Sequence, residues 1–122
     1  MCHMVNMKIM GKEVHVADIK QKYMQNIADA AQECDYIDRI ILFGSCTRED
    51  CKEDSDIDIA VFGSVTKGKC LTSKKYERFL KQVYSFDDFS QSYDVLYFKT
   101  DSTKNSLIME NISNGEVLYA RS

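Results

Sequence analysis

The sequence predicts an α/β (α+β) fold: a mixed sheet of about four strands flanked by helices. Three observations carry that reading. Apolar residues recur at helical spacing before residue 35 and again between residues 76 and 84. Runs rich in β-branched and aromatic residues fall at 37–43, 56–62 and 93–99. The two kinds of segment alternate along the chain, as they do when helices pack on a sheet.

In order, residues 1–15 hold Met1, Met4, Met7 and Met10, which leaves the true start open; this stretch is expected to be poorly ordered. Ile19, Tyr23, Ile27, Ala30, Ala31 and Cys34 place an amphipathic helix near 17–34, ended by Asp35 and Tyr36. A strand follows at 37–43, and its unbroken run Ile40-Ile41-Leu42-Phe43 suits cover on both faces. Gly44 breaks it, and Ser45 opens a turn or short helix. The second strand, 56–62, leads into a loop through Gly63, Gly68 and Cys70. Tyr76, Phe79, Leu80, Val83 and Tyr84 mark the next helix, with Thr72 as its N-cap and Leu71 and Tyr76 as a hydrophobic staple. A third strand spans 93–99, and a helix spans 102–114 with Gly115 as a left-handed C-cap. Val117-Leu118-Tyr119 is a short last strand.

At 122 residues, with no repeat, low-complexity tract or linker, the chain is expected to be one domain with its own core. A composition of 44% hydrophobic and 29% charged residues is that of an ordinary globular protein, and a net charge of −3 offers no general attraction to nucleic acid or anionic lipid. Direct DNA binding is not expected, because no basic face is evident. Cys2, Cys34, Cys46, Cys51 and Cys70 are odd in number and irregular in spacing, which argues against a disulfide framework and for a reducing, cytoplasmic setting. Cys46 and Cys51 have neither a second pair nor a nearby His to complete a zinc site. No targeting segment or membrane span is expected; the longest apolar run, Ile40 to Phe43, falls far short of a bilayer's thickness.

Chemistry concentrates in one window. Asp56 and Asp58 alternate with Ile57 on a strand, so both carboxylates project from one side, about 7 Å apart. Like charges so placed repel unless a cation lies between them, and hard oxygens of this kind suit Mg²⁺. The surrounding Glu49, Asp50, Glu53 and Asp54 read as a solvated acidic loop. An EF-hand register on Asp54, Asp56 and Asp58 fails, because Ile59 stands where Gly belongs and Val65 where Glu belongs. Gly44 lets backbone approach a phosphate, and the hydroxyl of Ser45 and the amides after it can donate to phosphate oxygens. Asp94 is the candidate third carboxylate: if its strand neighbours that of Asp56, it can share a metal and take a proton from an attacking hydroxyl. His3 and His15 read as surface residues, and Lys67-Gly68-Lys69 lacks the spacing of a Walker loop.

Gly44-Ser45, ten intervening residues and then Asp56-Ile57-Asp58 resemble the signature of the polymerase-beta-type nucleotidyltransferase superfamily. The short length is most similar to its minimal (MNT-type) members, and the resemblance runs from the first helix to the helix and Gly-Glu-Val-Leu-Tyr at the end. It implies a polymerase-beta-like sheet with the site on one face, Asp56 and Asp58 binding two Mg²⁺ ions, Asp94 joining one of them, and Ser45 holding the triphosphate. Arg48 matches a basic position of the family's turn and would contact phosphate. The implied reaction transfers AMP from ATP to an acceptor hydroxyl with loss of pyrophosphate. Two departures stand out: Cys46 where the family often has Arg, and Glu49 where it often has Gly, both expected to weaken nucleotide binding.

The leading expectation is an antitoxin that adenylylates a tyrosine of a HEPN-type toxin partner. It rests on what is missing: larger relatives carry an added helical domain that shapes the acceptor site, and a partner protein would supply that wall. Two alternatives remain open. One is a small-molecule acceptor such as an aminoglycoside, with the site completed by homo-oligomers; the other is a non-catalytic, partner-binding antitoxin.

Overall fold

The computed structural model describes residues 2–100 and 107–121. The chain opens with a hairpin, β1 (Met4–Ile9) and β2 (Lys12–Ala17), where the sequence reading expects little order. Its two-residue turn places Met10 and Gly11 at φ 51° and 80°, the double left-handed conformation that matches strand twist. Val14 and Val16 alternate with the exposed His15 and are fully buried, so the hairpin adds a face to the main core. The His15 amide donates to Glu116 Oε1 at 2.6 Å, tying the hairpin to the last strand.

A 3-10 turn (Asp18–Lys20) leads into α1 (Gln21–Gln32), which buries Tyr23, Met24, Ile27, Ala30 and Ala31. Then come β3 (Ile37–Phe43), a 3-10 turn (Gly44–Thr47), β4 (Ile57–Gly63), α2 (Lys67–Leu71), α3 (Lys74–Ser85), β5 (Tyr93–Lys99), α4 (Leu107–Ser113) and β6 (Glu116–Ala120). The main sheet has order β5-β4-β3-β6, with β4 parallel to β5 and the other pairs antiparallel. This is the mixed four-stranded sheet flanked by helices that the sequence predicts.

Alternation along the strands sorts side chains to two faces. Ile40, Leu42, Ile57, Ile59 and Val61 join the larger core with residues of α1 and α3. Ile41, Phe43, Ala60 and Phe62 form a second cluster with Ile112 of α4. The run Ile40 to Phe43 is therefore apolar at every position because both faces are covered.

Four local expectations are corrected. Thr72 does not cap α3; it ends α2, its hydroxyl donating to Gly68 and Lys69 carbonyls, while Ser73 accepts from the Lys75 and Tyr76 amides. A short second helix thus occupies the expected loop, itself capped by Thr66. Leu71 is exposed, so no staple to buried Tyr76 forms. Gly115 has no positive φ; it is glycine because a Cβ there would overlap the Leu42 carbonyl oxygen and Ile41 Cγ2. The start of the helix expected at 102–114 lies outside the described residues.

Candidate functional site

The β3–β4 corner builds the site. Phe43 pairs with Asp58 across the antiparallel ladder, and Asp58 pairs with Asp94 across the parallel one. Side chains in register share a face, so Phe43, Asp58 and Asp94 form one row across the sheet. The next rows inward are Ile41, Ala60 and Leu96, then Arg39, Phe62 and Phe98. Phe62 stacks on Phe98 at 5.5 Å, with the Arg39 guanidinium 4.6 Å from the Phe62 ring centre. The carboxylates thus sit at the polar end of an otherwise apolar sheet face.

Asp56 lies one residue before β4 begins rather than inside it, and is exposed. It nevertheless acts on Asp58. Burial, then the charges of Asp94 and Asp56, push the Asp58 carboxyl above the usual carboxylate range, with Arg48 opposing them. Asp94 and Asp56 therefore bear on Asp58 as like charges, and Arg48 as an opposite one.

Gly44 has φ 78°, and a Cβ on it would overlap the Asp58 carboxylate. Two independent constraints therefore demand glycine: a left-handed backbone and a carboxylate lying against it. Ser45, half-exposed beside it, has a hydroxyl with no hydrogen bond among the described residues. The Gly44–Thr47 turn is closed by Thr47 Oγ1 donating to the Gly44 carbonyl at 2.7 Å, and by the Arg48 amide donating to the Ser45 carbonyl at 3.0 Å. The first amides of such a turn have no carbonyl one turn back to bond within it. Arg48 is exposed and pairs with Asp50 at 3.2 Å.

Cys46 does not face this site. It is fully buried in the larger core, 3.9 Å from the Cys51 sulfur, and its thiol donates to the Asp56 carbonyl at 3.4 Å. Burial pushes the Cys46 thiol up to about 12, so it stays protonated and serves as packing that braces the turn against the strand start. Its side chain points into the core, away from the site. Glu49 is exposed.

The donor set fits a hard divalent cation. It is all oxygen, and Asp58 and Asp94 stand in register on neighbouring strands with Asp56 just ahead of the first. Among the described residues no three His, Cys, Asp or Glu groups are drawn into one coordination shell. Repulsion keeps like charges apart, and Mg²⁺ takes its other ligands from water and substrate phosphates.

Two residues given no role in the sequence analysis, Lys20 and Gln91, are buried beneath the loop that leads to Asp56. A lysine in a helical stretch reads as a surface residue, so only tertiary packing reveals it.

Among the described residues, no helix is long and apolar enough to cross a membrane. No curated protein matches the chain. A family model described as "Polymerase beta, Nucleotidyltransferase" matches residues 25–122, leaving the β1–β2 hairpin and the start of α1 outside the match. A nucleotidyltransferase domain assigns the general reaction, transfer of a nucleotidyl group. Because that match covers most of the chain, the protein belongs to the polymerase-beta-type nucleotidyltransferase superfamily.

Proposed function

We propose that this chain is a minimal, Mg²⁺-dependent adenylyltransferase that transfers AMP from ATP to a tyrosine hydroxyl of a HEPN-type toxin, acting as its cytoplasmic antitoxin. The observation that carries the chemistry is Asp58, held between Gly44 and Asp94 with its carboxyl raised by burial and then by the neighbouring carboxylates. Asp56, Asp58 and Asp94 would hold the divalent metal, which supplies charge neutralisation and polarisation of the phosphates when bound. The Ser45 hydroxyl and the amides of its turn bind the triphosphate, and Arg48 contacts it from the rim. Exposed Asp94 accepts the proton of the attacking hydroxyl. The acceptor oxygen bonds to the α-phosphorus, the bond from that phosphorus to the bridging oxygen breaks, and pyrophosphate leaves.

The non-catalytic reading rests on Cys46 and Glu49, and one experiment separates it from catalysis. The test uses labelled ATP, Mg²⁺ and a HEPN-type partner, with wild type and the double variant Asp56→Asn/Asp58→Asn. Label on the partner with wild type alone is the expected result. No label, with complex formation and neutralisation intact in both proteins, would sink the catalytic reading. A HEPN-like gene beside this one would support the partner, whereas label on an aminoglycoside in place of the protein would redirect the acceptor.

A further inference from the structure

Lys20 ends the 3-10 turn before α1 and is 1% exposed. Among the described residues no carboxylate pairs with it. Its ammonium instead donates to two neutral acceptors, the Glu53 carbonyl at 2.8 Å and Gln91 Oε1 at 2.7 Å. Gln91, also buried, turns its Nε2 to the Ser55 carbonyl at 2.9 Å and the Ser92 carbonyl at 2.7 Å. The amide orientation is forced: reversed, it would set an –NH₂ against an ammonium and an oxygen against two carbonyls. The Ser92 carbonyl also accepts from the Ile57 amide at 3.0 Å, where β4 begins beside β5.

Burying an ammonium without a counter-charge is expensive, and an apolar side chain would fill the same space more cheaply. What the pair does is join three segments far apart in sequence: the start of α1, the acidic loop and the approach to β5. Its acceptors stand one residue before Asp56, at Ser55, and two before Asp94, at Ser92.

We propose that Lys20 and Gln91 are positioning residues, a buried clamp that sets the loop of Asp56 and the strand of Asp94 at the spacing needed to bind a divalent cation. This rests on the carboxylate site proposed above. It contacts no substrate. Residues that orient metal ligands from behind typically change metal affinity by about 10–100-fold when removed.

The experiment measures Mn²⁺ binding to the nucleotide-free protein by electron paramagnetic resonance of the free ion, beside circular dichroism melting. Lys20→Met and Gln91→Leu are expected to stay folded and bind Mn²⁺ about tenfold or more weakly, and the double variant no more weakly than the worse single one. Val83→Ala, a cavity in fully buried α3 packing, loses stability without moving Mn²⁺ affinity. Gln91→Glu keeps an acceptor for Lys20 but turns an oxygen toward the Ser55 and Ser92 carbonyls, so it also weakens Mn²⁺; it carries the test if Lys20→Met fails to fold. Wild-type affinity in the folded clamp variants, or equal weakening by Val83→Ala, overturns the clamp. If Asp58→Asn itself binds Mn²⁺ as wild type does, it is the carboxylate site that fails.

Discussion

The two ends of β4 use the same device for opposite ends. At its start, Gly44 admits the Asp58 carboxylate into space a Cβ would fill, and the carboxylate keeps one side toward solvent. At its finish, Gly63 admits the Tyr97 ring and the Tyr36 carbonyl, which seal the strand. There the Tyr97 hydroxyl donates to the Val65 carbonyl at 2.7 Å, satisfying the buried polar atom. One close approach holds a charge poised and underneutralised; the other closes a core. Glycine at a strand end or in the turn after it marks close approach in both cases, and only the neighbour says whether it serves chemistry or packing.

The sharpest way to break this comparison is a matched pair of alanine substitutions. Gly44→Ala should abolish Mn²⁺ binding and nucleotidyl transfer, since Ala must both adopt a left-handed backbone, at a cost of about 1–2 kcal/mol, and displace the Asp58 carboxylate. Gly63→Ala should cost about 1–3 kcal/mol of stability through overpacking against Tyr97 and Tyr36, with Mn²⁺ affinity unchanged in the folded fraction. Denaturant melts beside metal titrations separate the two; equal loss of metal binding in both would erase the distinction.

A smaller effect tests the poised charge itself. A carboxyl whose proton is held more tightly in the folded chain favours folding at low pH. That contribution is lost as pH rises from the ordinary carboxylate value through the raised one. Asp58→Asn should therefore melt higher than wild type at pH 7 while being inactive, the gap closing below about pH 4. Added Mg²⁺ should raise the melting temperature of wild type and not of the variant. A variant that melts lower at pH 7 contradicts an unfavourable charge at this position.

The smallest expected effect lies on the rim. The Arg48–Asp50 pair is exposed on both sides, so Asp50→Ala should change stability by no more than about 1 kcal/mol. Arg48→Ala should weaken ATP binding several-fold at low salt and less at high salt, readable by nucleotide titration.

Much of this was legible in the residues. The bounds of β3 and β5 follow from runs that are apolar or aromatic between polar ends, and Gly44 to Asp58 follows from spacing. The hairpin was not legible from β1, whose Met4 and Met7 give a weak β signal, although β2 does alternate Val14-His15-Val16. Thr72 and Ser73 are both good caps, and only the bonds of the Lys75 and Tyr76 amides to Ser73 decide between them. Cys46 makes a related point: its place in the motif says nothing of its orientation, and only burial shows that the side chain enters the core.

Sequence alone determined the class of fold, the glycine turn and the D-x-D pair, because these depend on periodicity and on backbone freedom that individual residues carry with them. Tertiary structure decided which face Asp58 shares with Asp94, why Gly44 tolerates no Cβ, and that Lys20 lies buried on Gln91 beneath the acidic loop. Those facts depend on strand register and on contacts between segments distant in the chain, and no local pattern encodes either.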